Sequence, residues 1–295
     1  MSPTLFQIFV LGLVQGAAEL LPVSSSAHVI AAEKLMRLDP SSPEMTFLLI
    51  MLHTGTMFAV VGYFWKSWRQ SFFSSPAAFT NAAIRIALAT LASAAVFLAL
   101  NVLVKKFLLA GRPGAAIEDL FSNLYLIAAA LVASGAVITV AGLRARSSGP
   151  ESTSPGLDGR AVPLIPAAWI GAVQGVVLPF RGFSRSGATI SFSMLIGLPK
   201  RVSEEFSFAL AVVITPPVIV RELARLVKAR ASSADAVHLG ALAAPGLVGM
   251  VCSFVAGLAA LRWLSGWLEN GRWHLFGYYC FAAAAGICAL ARMGY

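Results

Sequence analysis

Long uncharged apolar runs dominate the chain. Phe47–Trp65, Ile86–Val104, Leu120–Leu143, Ala161–Phe180 and Leu239–Leu261 contain no Asp, Glu, Lys or Arg and are 19 to 24 residues long. A helix crossing the hydrocarbon layer needs roughly 20 residues, so these runs predict membrane helices. Leu275–Ala291 is slightly shorter and predicts another. Phe206–Val220 carries Pro216-Pro217 and predicts a broken or bent span, because proline removes an N–H and crowds the preceding turn. Two apolar stretches stop early. Leu5–Leu20 ends at Leu21-Pro22 and a serine run, and Ala161–Phe180 is interrupted near Pro179 and Gly182. Both predict half-helices that enter the bilayer, turn and leave, a backbone path tolerated at depth only under protein or beside a wet cavity. The expected fold is an all-α polytopic membrane protein, a single integral domain over residues 1–295. It has about six full spans plus two re-entrant half-helix pairs.

The two interrupted stretches look like relatives. Gly12-Leu13-Val14-Gln15-Gly16 is matched by Gly171-Ala172-Val173-Gln174-Gly175, with Gln15 and Gln174 159 positions apart. Leu21-Pro22 and Ser24-Ser25-Ser26 follow the first, and Leu178-Pro179 and Ser184-Arg185-Ser186 follow the second. Glu44-Met45-Thr46-Phe47 then aligns with Glu205-Phe206-Ser207-Phe208, at an offset of 161. The chain therefore divides into a first repeat of about 1–143, a turn-rich linker of about 144–163 and a second repeat of about 164–295. Three spans per half is an odd number, which predicts inverted topology and one shared site at the repeat interface.

Composition agrees with the pattern. The chain has 295 residues, 58% hydrophobic and 12% charged, against about 25% charged in soluble domains. The net charge of +9 reads as Lys/Arg flanks meeting anionic headgroups, with no nucleic-acid partner expected. Cys252, Cys280 and Cys288 lie in apolar runs without metal spacing and read as small core residues. The N-terminus lacks a cationic n-region and a small-residue cleavage site, so no removed signal peptide is expected.

Polar groups at membrane depth are functional by default. Gln15 and Glu19 are four apart and share a helix face. Glu19 suits a general base or a metal ligand. Ser24, Ser25 and Ser26 offer a helix cap, hydroxyl donors and a nucleophile, with the titratable His28 one turn on. In the second segment Arg185 supplies a guanidinium fork for phosphate oxygens. Ser184, Ser186 and Thr189 supply hydroxyls, and Gly182 and Gly187 let backbone approach closely. One segment offers attack and the other an anion clamp. The chemistry predicted is phosphoryl transfer to water on a lipid phosphate.

At these residues the chain resembles the bacterial undecaprenyl-diphosphate phosphatase family of the bacitracin-resistance type. Gln15-Gly16-Ala17-Ala18-Glu19, Leu21-Pro22-Val23-Ser24-Ser25 with His28, and Gly182-Phe183-Ser184-Arg185-Ser186-Gly187-Ala188-Thr189 match its motifs. Arg181 stands where the family motif has Pro, and Gln15 replaces a more acidic option. The resemblance implies hydrolysis of undecaprenyl diphosphate to undecaprenyl phosphate and inorganic phosphate, recycling the carrier for cell-wall synthesis. It implies Ser25 as nucleophile, Glu19 or His28 as base or acid, and Arg185 with Ser24, Ser26, Ser184, Ser186, Thr189 and Gly182 around the phosphates. A divalent cation, Mg2+ or Ca2+, is implied, with Gln15 and Glu19 as its ligands. So are a polyprenyl diphosphate substrate, the inner membrane and a site facing the periplasm; a homodimer is the candidate assembly. The rival reading is a flippase or transporter of undecaprenyl phosphate or a related lipid anion, which needs Arg185 but no nucleophile or base.

Overall fold

The computed structural model of the chain describes residues 3–40, 42–107, 123–147, 162–231 and 239–295, and over these the regular structure is all α-helix. In chain order the helices are α1 (Leu5–Leu20), α2 (Ser25–Leu35), α3 (Pro43–Ser71), α4 (Pro76–Phe107) and α5 (Leu124–Ser147). They continue with α6 (Leu164–Val177), α7 (Arg185–Leu195), α8 (Lys200–Ala231), α9 (Leu239–Glu269) and α10 (Trp273–Arg292). Six of them, α3, α4, α5, α8, α9 and α10, are long and apolar enough to cross a membrane. The chain is a multi-pass membrane protein. Residues 148–161 of the expected linker, and 120–122 of the third apolar run, lie outside the described residues.

Helix starts follow local chemistry. Thr4 caps α1: its hydroxyl accepts from the Gln7 N–H, while the Gln7 side chain accepts from the Thr4 N–H, a capping box that satisfies two orphan donors. Ser42 caps α3, with Pro43 in its first turn, where a missing N–H costs nothing. Of the two outcomes expected at Pro216-Pro217, a broken or a bent span, the break does not occur: α8 runs as one helix through both prolines. In a bilayer a freed carbonyl has no water to turn to, so a helix is held together wherever other donors serve.

α1 and α6 are 16 and 14 residues long, too short to span. Each is followed by a helix of 11 residues, α2 or α7, forming the two re-entrant pairs. Glycines let these half-helices pack closely on full spans. Gly12 and Gly16 of α1 lie against Cys252 and Ser253 of α9; a Cβ on Gly16 would stand 2.5 Å from the Ser253 carbonyl oxygen. Gly171 and Gly175 of α6 lie equally tightly against the backbone of Ala89 and Ser93 of α4.

The pairs enter from opposite ends of the bundle. Near the start of α1, Ile8 and Leu11 pack with Met45, Leu48 and Leu52 in the first turns of α3. Near the start of α6, Ala167 and Ile170 pack with Phe206 and Leu210 of α8. That part of α8 lies beside the last turns of α3, where Phe64 stacks on Phe208 and Ser67 donates to Glu205. The tips of the two pairs meet in the interior, where Ile127, Leu131 and Ile138 of α5 and Trp273 and Phe276 of α10 build the largest buried cluster.

Candidate active site

The chain turns between α1 and α2 at Leu21–Ser24. Ser24 takes φ +68°, a region costly for a residue with a Cβ. The turn starts α2 at Ser25, so Ser25 and Ser26 sit on the helix N-terminus. Opposite, the turn before α7 uses Gly182 at φ +94°, where a Cβ would run into the Ile127 carbonyl. Ser184 caps α7, accepting from the Gly187 N–H at 3.1 Å, and its own N–H donates to Ser134 of α5 at 3.2 Å. The Gly182 N–H donates to Ser26 Oγ at 3.2 Å, tying one re-entrant turn to the other.

Between the turns lies a cavity of about 270 Å³ lined by Glu19, Ser24, Ser25, Ser26, His53, Arg181, Ser184, Arg185 and Ser186, with Val177, Leu178, Phe180, Phe183 and Ala18. Glu19 is its hub. Ser25 Oγ donates to Glu19 Oε2 at 2.5 Å, and Gln15 Nε2 donates to the same oxygen at 3.2 Å. Arg185 Nη2 donates to Glu19 Oε1 at 3.2 Å. The side chains of Glu19 and Arg185 are only 19% and 16% exposed, so the pair is well shielded. Nη1 of Arg185 has no hydrogen-bond partner and is a spare donor. The N-termini of α2 and α7 both reach the cavity, and helix N-termini favour anions through unpaired N–H groups and their dipole.

Several residues read from the sequence stand elsewhere. His28 is not among the lining residues. Its Nδ1–H donates to the Ser24 carbonyl at 2.7 Å, which leaves Nε2 to accept from the Tyr279 hydroxyl at 2.8 Å. With both nitrogens engaged, the ring braces the strained turn. Thr189 is buried behind the cavity, donating to the Arg185 carbonyl at 2.9 Å and sharing a 2.6 Å hydrogen bond with Ser207 of α8. Gly182 contributes its turn and its N–H to Ser26.

Gln15 is 1% exposed and turns its amide nitrogen to Glu19, so it holds that carboxylate rather than offering an oxygen beside it. Glu19 is the one carboxylate lining the cavity, and no group of three or more His, Cys, Asp or Glu that could hold a metal occurs among the described residues. Magnesium is commonly held by one or two carboxylates plus substrate phosphates. The donor set thus fits a cation shared with a bound diphosphate, not a cage made by protein alone.

One lining residue escaped the sequence reading. His53 of α3 has Nε2 3.9 Å from Glu19 Oε2. Its Nδ1–H donates to the Leu49 carbonyl at 2.8 Å, so Nε2 is the ring nitrogen turned towards Glu19. The signal was present: a single histidine inside the uncharged run Phe47–Trp65, where intramembrane titratable groups mark function.

The family profile described as "Bacitracin resistance protein BacA" matches residues 8–286. The chain is 51% identical to "Undecaprenyl-diphosphatase 2" of Acinetobacter baylyi over 97% of its length and 98% of that protein. It is 33% identical to an "Undecaprenyl-diphosphatase" of Desulfosudis oleivorans over 92% and 93%. To an "Undecaprenyl-diphosphatase" of Korarchaeum cryptofilum it is 28% identical over 96% and 98%.

Proposed function

The chain belongs to the bacitracin resistance protein BacA family, and from that premise we propose that its cavity hydrolyses undecaprenyl diphosphate to undecaprenyl phosphate and inorganic phosphate. One observation carries the reading: the Glu19 carboxylate joins Ser25 to Arg185, residues 160 positions apart, beside two helix N-termini. A carboxylate hydrogen-bonded to a serine hydroxyl is a base in contact with a nucleophile. The arginine beside it holds phosphate oxygens.

Ser25 Oγ attacks the terminal phosphorus while Glu19 takes its proton. The Oγ–P bond forms, the anhydride P–O bond breaks and undecaprenyl phosphate leaves. Glu19 gives the proton it took to the departing undecaprenyl phosphate. Water then attacks the phosphoserine, passing a proton to Glu19, and that proton returns to Oγ as the Oγ–P bond breaks and inorganic phosphate departs. Arg185, including the spare Nη1, and the hydroxyls of Ser24, Ser26, Ser184 and Ser186 stabilise the charge that spreads over the equatorial oxygens, the main catalytic term in phosphoryl transfer. A divalent cation, Mg2+ or Ca2+, held by Glu19 together with substrate phosphates would add charge neutralisation.

The same reading places the protein in a bacterial inner membrane with the cavity open to the periplasm, and takes the two halves as inverted repeats. The opposed directions of α1 and α6, and the equal lengths of α2 and α7, support the repeat. The homodimer belongs to this reading too, and the mass of the detergent-solubilised particle checks it.

The test is phosphate release from farnesyl or undecaprenyl diphosphate by purified protein with Mg2+ or Ca2+. Ser25→Ala, Glu19→Gln and Arg185→Ala are each expected to lower kcat by at least about 100-fold, and chelation is expected to stop release. Full release by all three variants sinks the assignment. Protein that releases no phosphate but scrambles labelled lipid in liposomes is the flippase instead.

A further inference from the structure

Arg181 lines the cavity, yet the reaction as written gives it no part. It is also one of the two positions at which this chain departs from the family motifs. The charged residues lining the cavity are Glu19, Arg181 and Arg185. Glu19 and Arg185 neutralise each other, so the fixed charge left over is that of Arg181. Its guanidinium is exposed and joins no ion pair among the described residues. Glu33 of α2 interacts with it electrostatically, but that carboxylate is 3% exposed with Oε1 lacking any hydrogen-bond partner. No close pair consumes the arginine.

Depth orders the two arginines. Arg185 lies at the inner end with Ser25 and Glu19, and Arg181 at the exposed end. Beside Arg181 on the same turn, Leu178 and Phe180 line the cavity and are each 37% exposed, an apolar rim suited to an isoprenoid chain. A lipid diphosphate is a linear array of tail, inner phosphate and terminal phosphate. With the terminal phosphate at Ser25 and the tail on the Leu178–Phe180 rim, the inner phosphate falls at Arg181. The geometry points to Arg181 as a second phosphate subsite, one that holds the lipid-linked phosphate while the terminal phosphate sits at Ser25. The inference rests on the phosphatase reading and deepens it.

The experiment compares wild type with Arg181→Ala and Arg181→Lys, using farnesyl diphosphate as substrate and farnesyl monophosphate and inorganic phosphate as inhibitors. Arg181→Ala is expected to raise KM about tenfold, the worth of one charged hydrogen bond, while kcat stays within about threefold. Inhibition by farnesyl monophosphate should weaken by a similar factor, inhibition by inorganic phosphate should not change, and Arg181→Lys should recover part of the affinity. Unchanged inhibition by farnesyl monophosphate, or an equal weakening for both inhibitors, overturns the subsite. A wild-type protein that releases no phosphate overturns the phosphatase reading instead, so the two failures are separable. Wild-type elution and thermal unfolding of the variants in detergent establish that the fold is kept.

Discussion

Ser24 carries the strain of the site. Its φ of +68° is a backbone region where a side chain costs of order 1–3 kcal/mol. The His28 ring braces its carbonyl, and the next residue is Ser25, the proposed nucleophile. Ser24→Gly is expected to keep or slightly raise the unfolding temperature in detergent, because glycine adopts positive φ freely. Ser24→Val should lower stability by about 1–3 kcal/mol and disturb Ser25. Equal stability of both variants would mean that the turn is not strained. The types of residue at this site were legible in the chain, since Glu19, Ser25 and Arg185 are rare at membrane depth. Their partners were not. His28 and His53 are both lone histidines near polar or apolar runs, and only the direction of each ring separates the brace from the residue that faces Glu19.

At the scale of elements, two half-helices are seated by glycine. Gly16 packs on Ser253 and Gly171 on Ala89 so closely that a Cβ has no room. Membrane helix association relies on such small residues, because lipid supplies no hydrophobic drive between helices. Gly171→Val is expected to cost at least about 1–3 kcal/mol by overpacking, read as a lower unfolding temperature, and to reduce phosphate release by displacing α7 and Arg185. Gly62 of α3 has open space around it, so Gly62→Ala is the control that should change neither. A Gly171→Val protein with wild-type stability would remove the packing role. The positions of the spans were legible from the uncharged runs, but not their lengths, since α3 and α4 extend to 29 and 32 residues through charged flanks. The continuity of α8 was not legible either, because local proline preference competes with the bilayer's demand that backbone groups stay bonded inside the helix.

At the scale of the whole molecule, α2 and α7 are the same length and start 160 positions apart, so Ser25 and Arg185 each open the second helix of a pair. Inverted topology makes a direct prediction. In a chain with Cys252, Cys280 and Cys288 replaced by alanine, single cysteines at Thr4, Ser75 and Leu164 are labelled by an impermeant thiol reagent. Ser75→Cys and Leu164→Cys should react from one face of oriented membranes and Thr4→Cys from the other. Labelling of Thr4→Cys and Leu164→Cys from the same face would refute it. By itself the sequence determined the membrane class, the positions of the spans, the two related polar segments and the residue types for phosphoryl transfer. Each of these is written in local hydropathy and spacing. Only the tertiary structure decided that Glu19 bridges Ser25 to Arg185, that His28 looks away and His53 looks in, and that Arg181 joins no ion pair among the described residues. Those facts depend on side-chain directions and on contacts between residues some 160 positions apart, and the packing of two re-entrant pairs against each other sets both.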